Sequence, residues 1–233
     1  MGLFSSIYTA GGSSTTQRIT FNVAHAIVIG VNAWLLLGGG IETVGGWFGA
    51  TWAPGNATRR ALLFTCSLIY FGRIVLTTSV LLHRKFAWSE AITVAVWVCI
   101  IHWGFALLGG TVAQSIGLLD VAGAALFLVG SYLNTTSEWQ RTRWRRDPEN
   151  AGKLFTGGLY RLAMHVNYFG DIVLFTGYAM ITHRPWAGIV PVLMFANFAL
   201  FFVPKLDQHL AQKYGDQFDD FARTRRRLFP FVY

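Results

Sequence analysis

The chain has 233 residues, 53% hydrophobic, 15% aromatic and only 13% charged, against about 25% charged residues in soluble domains; that deficit excludes a soluble domain and implies a membrane protein. The net charge of +8 does not imply nucleic acid, because the positive residues cluster at the ends of apolar runs, where they set topology, meet anionic lipid and can serve phosphates. Two cysteines, Cys66 and Cys99, lie inside apolar runs and read as inert buried thiols.

In chain order, residues 1–20 are polar and Gly-rich, with neither the basic start nor the apolar core of a cleavable signal. The first apolar run is therefore predicted to stay in the membrane. Crossing a bilayer needs roughly 20 helical residues. Runs of that length cover Phe21–Ile41, Ala61–Leu82, Trp88–Leu108, Gln114–Leu133, Leu162–Thr182 and Trp186–Pro204. Between the first two, Gly45–Thr58 reads as a Gly/Trp/Pro loop whose Trp47 and Trp52 suit an aromatic belt. The prediction is an all-α integral membrane protein, a bundle of about six transmembrane helices, or seven if that loop inserts. His83-Arg84-Lys85, the Arg141–Arg161 segment and the tail with Arg225-Arg226-Arg227 assign the cytoplasmic side, joined by Arg18. Both termini are expected there, with Arg59-Arg60 and Arg184 on the opposite side. No long repeat divides the chain, so 1–233 reads as one domain, with residues 134–233 as its cofactor-binding half.

Four polar groups recur at helical spacing. Asn134 and Glu138 are i,i+4 where the fourth run ends, and Asn167 and Asp171 are i,i+4 in the fifth. Lys205 and His209 are i,i+4 just past the sixth, with Asp207 between them, and Tyr70 and Arg73 are i,i+3 in the second. Residues so spaced share a helix face. In hydrocarbon such groups are costly unless they face protein or water. Beside them, Arg141, Arg143, Arg145, Arg146, Lys153 and Arg161 suit a polyanion. Together they point to a phosphorylated cofactor held in a pocket at the cytoplasmic face. Taken alone, Asn134 and Glu138 also fit an interfacial helix end, Lys205 to His209 a solvated one, and the arginines a topology signal. Asn32 and His102 read as packing or interhelical hydrogen-bonding groups. No GxGxxG, P-loop, HExxH or GxSxG motif occurs, which excludes a Rossmann nucleotide fold in practice and predicts no metal site.

Gly157-Gly158-Leu159-Tyr160-Arg161, followed by Asn167-Tyr168-Phe169-Gly170-Asp171, resembles the membrane-embedded steroid 5α-reductase family. That family belongs to a wider group with sterol C14- and C7-reductases and isoprenylcysteine carboxyl methyltransferases. Asp171 stands where the family has glutamate. The tail from Lys205-Leu206-Asp207-Gln208-His209 to Leu228-Phe229-Pro230-Phe231-Val232-Tyr233 is similar to the family's C-terminal signature, with Lys205 where arginine is common. Tyr70-Phe71-Gly72-Arg73 is similar to its Y-F-x-R segment.

The resemblance implies NADPH-dependent reduction of a carbon–carbon double bond conjugated to a carbonyl, in a steroid-, sterol- or isoprenoid-like substrate entering from the bilayer. It implies that Asn134, Glu138, Arg145, Tyr160, Asn167, Asp171, Lys205 and His209 bind the cofactor, with Arg73 reaching it. It also implies that Tyr70 donates to the substrate carbonyl. The family pairs that tyrosine with a glutamate in an N-terminal Q-E-type motif; this chain lacks the motif, and Glu42 is the nearest candidate. Two other readings stay open. One is an S-adenosylmethionine-dependent lipid methyltransferase of the same group, whose R-H-P-x-Y and Glu-Glu signatures are replaced here by Met164-His165-Val166-Asn167-Tyr168 and Asp207-Gln208. The other is a non-enzymatic lipid-binding module. The expected partners are the lipophilic substrate and membrane lipids, without nucleic acid. The chain is expected as a monomer or weak homo-oligomer in a bacterial inner membrane or the endoplasmic reticulum.

Overall fold

The computed structural model describes residues 14–230; residues 1–13 of the polar start and the closing Phe231-Val232-Tyr233 lie outside them. Among the described residues the regular structure is helical: α1 Thr15–Leu37, α2 Gly40–Trp47, α3 Ala57–Leu76, α4 Trp88–Gly110, α5 Leu118–Arg145, α6 Val166–Ile181, α7 Ile189–Asn197, α8 Val203–Tyr214 and α9 Asp216–Thr224. Among the described residues five stretches are long and apolar enough to cross a membrane. They are α1, α3 with the π-helical turn Thr77–Leu81, α4, α5, and Pro185–Tyr214, in which the π-helical turn Phe198–Phe202 joins α7 to α8. α6 is apolar but has only 16 residues, about 24 Å of helix against a hydrocarbon core of about 30 Å. α4 shows the membrane character best. Trp88, Ile92, Val96 and Ile100 form an exposed stripe, while Ala91, Val98, Ile101 and Phe105 are buried, so the helix is apolar on every side. The chain is an all-α integral membrane protein.

Several boundaries differ from the sequence reading for local reasons. α1 ends at Leu37 rather than Ile41, because Gly39 takes a left-handed φ of 81° that breaks the rod. The predicted Gly45–Thr58 loop loses its start to α2. Gly40 there lies against Trp34 and Leu35, and Gly45 against Ala50 O and Trp52, closer than a side chain would allow. α5 starts at Leu118 rather than Gln114, since the carbonyls of Val112, Gln114 and Ser115 are drawn onto the Arg59 guanidinium. It then runs past Leu133 through the arginines, which are good helix formers in water. α6 starts at Val166 rather than Leu162, because the amides of Met164 and His165 donate to Arg226 O (2.8 Å) and Arg227 O (2.9 Å). The last span continues through Pro204, which sits where the π-helical turn Phe198–Phe202 passes into α8.

The described residues divide into two compact units. The first takes residues up to Ala124 together with Tyr178–Ala187. Its core is α1, α3 and α4 packed on one another. Arg18 donates to the carbonyls of Thr78 (2.9 Å), Leu82 (2.8 Å) and Arg84 (3.0 Å), serving oxygens that have no helical partner at the end of α3. At the start of α3, Arg59 is 0% exposed and grips both oxygens of Asp120 at 3.0 Å. His183 Nε2 lies 3.0 Å from Asp120 Oδ2. Arg59 is thus an internal ion-pair partner.

The second unit takes Ala125–Gly177 and the chain from Gly188 onward. α5 and α6 cross where Gly130 meets Gly170. A Cβ at Gly170 would stand 2.7 Å from Asn134 N and 2.8 Å from Gly130 O, and one at Gly130 would collide with Leu174 N and Gly170 O. The segment 146–165, the first residue of α6 and α9 share an apolar cluster of Tyr160, Ala163, Met164, Val166, Phe218 and Phe221.

Removing one partner of a buried ion pair costs about 3–5 kcal/mol, because the other charge stays buried. Asp120→Ala is expected to lower the thermal unfolding midpoint in detergent, and the paired change Arg59→Met with Asp120→Leu to recover most of the loss. An Asp120→Ala protein as stable as its parent would refute this account of Arg59.

Candidate functional site

In the second unit Glu138 organises the site. Its Oε1 accepts from Asn167 Nδ2 at 2.9 Å and from Tyr160 OH at 3.1 Å, and its Oε2 pairs with Arg141. Asn134 Nδ2 donates to Asn167 O at 3.0 Å. Arg141 also lies over the Tyr160 ring, 5.6 Å from its centroid. Burial pushes the Tyr160 phenol well above its ordinary range, Glu138 adds to that and Arg141 opposes it. The phenol therefore keeps its proton and donates it. A carboxylate accepts at two oxygens only, and both are engaged, so Glu138 is an orienting group for two donors and a guanidinium.

The loop that carries Tyr160 is held by its own backbone. Gly158 takes φ 55° and lies so close to Gln140 Oε1 that a Cβ would collide with it. The same oxygen accepts from Leu159 N at 2.8 Å. Leu154 N donates to Gln217 Oε1 at 2.9 Å, tying the loop to α9. His165 Nε2 lies 2.7 Å from Asp207 Oδ1, and Arg227 Nε 3.4 Å from Asp207 Oδ2. His165 stacks on Tyr168, and Tyr168 on Phe198 at 4.6 Å.

Hydrogen bonds thus join four of the residues that the sequence nominated: Asn134, Glu138, Tyr160 and Asn167. Asp171 follows Asn167 by one turn of α6 and is half-buried. Arg145 is exposed in the last turn of α5, as are Arg143 and Arg146 close by. Lys205 is exposed and His209 half-buried on α8, on either side of Asp207. No group of three metal-ligating side chains occurs among the described residues.

The remaining nominated residues belong to the first unit. Tyr70 and Arg73 are buried on the inward face of α3, in line with Leu63, Cys66 and Ser67. The Arg73 guanidinium lies 5.6 Å from the Tyr70 ring centroid, an arrangement that places positive charge beside the phenol. Glu42 is exposed in the first turn of α2. Asn32 and His102 both bond to Ser67, at 2.7 and 3.1 Å.

Sequence reasoning missed Gln140, His165 and the particular role of Arg141. Only Arg141 had a signal, its i,i+3 spacing from Glu138. Gln140 acts through a left-handed glycine, and His165 meets Asp207 across 42 positions of chain.

A family model described as "Protein of unknown function (DUF1295)" matches residues 76–226. The chain is also similar to "3-oxo-5-alpha-steroid 4-dehydrogenase 2" of Sus scrofa (32% identity over 111 residues) and of Homo sapiens (31% over 111 residues). It is similar to "3-oxo-5-alpha-steroid 4-dehydrogenase 1" of Mus musculus (35% over 114 residues). Each match covers 48% of this chain and 42% of the relative, so the chain spans less than half the length of these curated relatives.

Overpacking a close contact costs typically about 1–3 kcal/mol. Gly170→Val is expected to lower the unfolding free energy by that order, read as a lower unfolding midpoint. Gly104→Ala, where an added Cβ meets nothing within 4 Å, is expected to be neutral or stabilising. Equal midpoints for Gly170→Val and the parent would show that the helices do not touch at Gly170.

Proposed function

Because the chain belongs to the DUF1295 family and resembles steroid 5α-reductases over 48% of its length, we propose that it is a membrane-embedded, NADPH-dependent reductase. Its substrate on this reading is a lipophilic, steroid- or isoprenoid-like molecule carrying a carbon–carbon double bond conjugated to a carbonyl. The observation that carries the reading is the Glu138 cluster. One carboxylate orients Asn167, Tyr160 and Arg141, while Arg143 and Arg145 are exposed at the end of the same helix. A lipid-binding scaffold has no use for such a set.

The residues present fit the cofactor by their chemistry. Guanidinium forks suit the pyrophosphate and the extra ribose phosphate, and the ammonium of Lys205 adds a point charge. The amides of Asn134 and Asn167 both donate and accept, as a nicotinamide carboxamide requires. We assign Arg145 and Lys205 to the phosphates, Asn134 and Asn167 to the nicotinamide end, and Asp171 and His209 to the ribose hydroxyls. Bound NADPH supplies the hydride. Glu138 holds Asn167 and Tyr160 in one orientation throughout.

Tyr70 is assigned to the substrate carbonyl. Negative charge grows on that oxygen as the double bond is reduced, and one well-placed donor is worth ~3–4 kcal/mol there. A phenol donates without carrying a formal charge into the apolar core, and Arg73 beside it stabilises the growing charge. Apolar surroundings exclude water and strengthen both effects.

Mass spectrometry of small molecules retained on purification in mild detergent tests the cofactor class. NADP(H) is expected, and retained S-adenosylmethionine would overturn the reductase reading. Asn167→Ala and Arg145→Ala are each expected to weaken NADPH binding about tenfold or more, the loss of one to two charged or paired hydrogen bonds; unchanged affinity in both variants would defeat the site assignment. Tyr70→Phe is expected to lower kcat by ~10²-fold or more with NADPH affinity unchanged, and an equally fast variant would remove the role given to Tyr70.

A further inference from the structure

The first unit buries a polar network in an otherwise apolar core. Asn32 Nδ2 donates to Ser67 Oγ at 2.7 Å, and Ser67 Oγ lies 2.5 Å from Tyr178 OH. His102 Nδ1 lies 3.1 Å from Ser67 Oγ, and His102 Nε2 lies 3.3 Å from His25 Nε2. The network ends at His25, which is 1% exposed and whose buried Nδ1 has no hydrogen-bond partner among the described residues. The ring that carries that nitrogen lies among the aromatic side chains around Tyr70. The His25 ring centroid is 6.0 Å from that of Tyr70 and 5.0 Å from that of Phe71, and the His102 ring is 5.6 Å from Tyr70.

Proton accounting limits what His25 can offer. Two imidazoles that meet Nε2 to Nε2, each with one N–H, must be one donor and one acceptor. Suppose Asn32 and Tyr178 both donate to Ser67. Its lone pairs are then filled, and in this sense its own proton goes to His102 Nδ1 instead of to Leu63 O, also 3.1 Å away. His102 donates from Nε2 to His25, and His25 carries its N–H at Nδ1. The network can also run in the opposite sense, with Tyr178 donating to Leu63 O at 3.1 Å, which leaves Nδ1 as a bare acceptor. The first sense ends in an open N–H donor, and a ligand oxygen that can only accept selects it. A buried polar atom without a partner is costly, and the edge-to-face contact with Phe71 replaces little of a hydrogen bond.

We propose that His25 Nδ1–H is a second donor to the carbonyl oxygen of the lipophilic substrate, acting beside Tyr70; the proposal rests on the reductase reading above. Two donors from different helices fix the direction of the carbonyl as well as its charge. The polar companion that the sequence sought for Tyr70 in Glu42, an exposed residue, is then an interior histidine.

The test is binding in lipid nanodiscs without NADPH, using tritiated androst-4-en-3-one and its hydrocarbon counterpart androst-4-ene. Wild-type protein is expected to prefer the ketone by ~10-fold or more. His25→Phe should erase most of that preference while still binding the hydrocarbon, and His25→Gln, which keeps an N–H donor, should restore much of it. A His25→Phe protein with the full preference overturns the proposal and leaves the reductase reading standing. No preference in the wild type overturns it as well, while copurification of NADP(H) judges the reductase reading separately. If His25→Phe does not elute as a single peak, His25→Leu carries the same comparison with the same deciding outcomes.

Discussion

No side chain separates α5 from α6 where Gly130 meets Gly170. In a membrane, lipid tails are as apolar as leucine, so helices associate through close packing and interhelical hydrogen bonds rather than through hydrophobic burial. The glycine pair supplies the close approach. Asn134 comes one turn after Gly130, and Asn167 comes three residues before Gly170 on the opposing helix. Backbone contact at the glycines therefore brings Asn134 Nδ2 to Asn167 O, and one further turn along α5 brings Glu138 to Asn167 Nδ2. Bulk at the crossing would separate every later pair.

Charge in this protein divides into two populations. Arg59 with Asp120, Arg18 with the carbonyls that come after α3, and Arg141 with Glu138 are spent on internal partners. Buried charges are tolerated only on those terms. The exposed Arg143, Arg145 and Arg146 follow Glu138 along the chain at the end of α5. A net charge of +8 thus overstates the charge open to an anion, and position rather than total decides which cations matter.

The helical, membrane-spanning character was legible because composition alone demands it, and runs such as Trp88–Gly110 are apolar on all sides. Asn134, Glu138 and Asn167 could be nominated because polar residues at i,i+4 in such runs are costly. Helix ends were less legible. Nothing in residues 112–117 announces that their carbonyls serve Arg59, and nothing near Leu162 announces that Met164 and His165 bond to the tail. The extension of α5 through Arg145 was hidden for another reason, since hydropathy detects the part of a helix that meets lipid and not the part that leaves it. His25 sits within the apolar run Phe21–Ile41, and its significance depends on His102, 77 residues away.

The π-helical turn Phe198–Phe202 holds one residue more than an α-helical turn, and each extra residue rotates the downstream helix by about 100° about its axis. The lipid-facing side of α7 and the face of α8 that carries Lys205 and His209 are therefore out of phase along one rod. Hydrocarbon can be met on one azimuth while the ionisable side chains point along another. Deleting a single phenylalanine from that turn would bring the two faces back into line and swing Lys205 and His209 away together, with no change to either side chain.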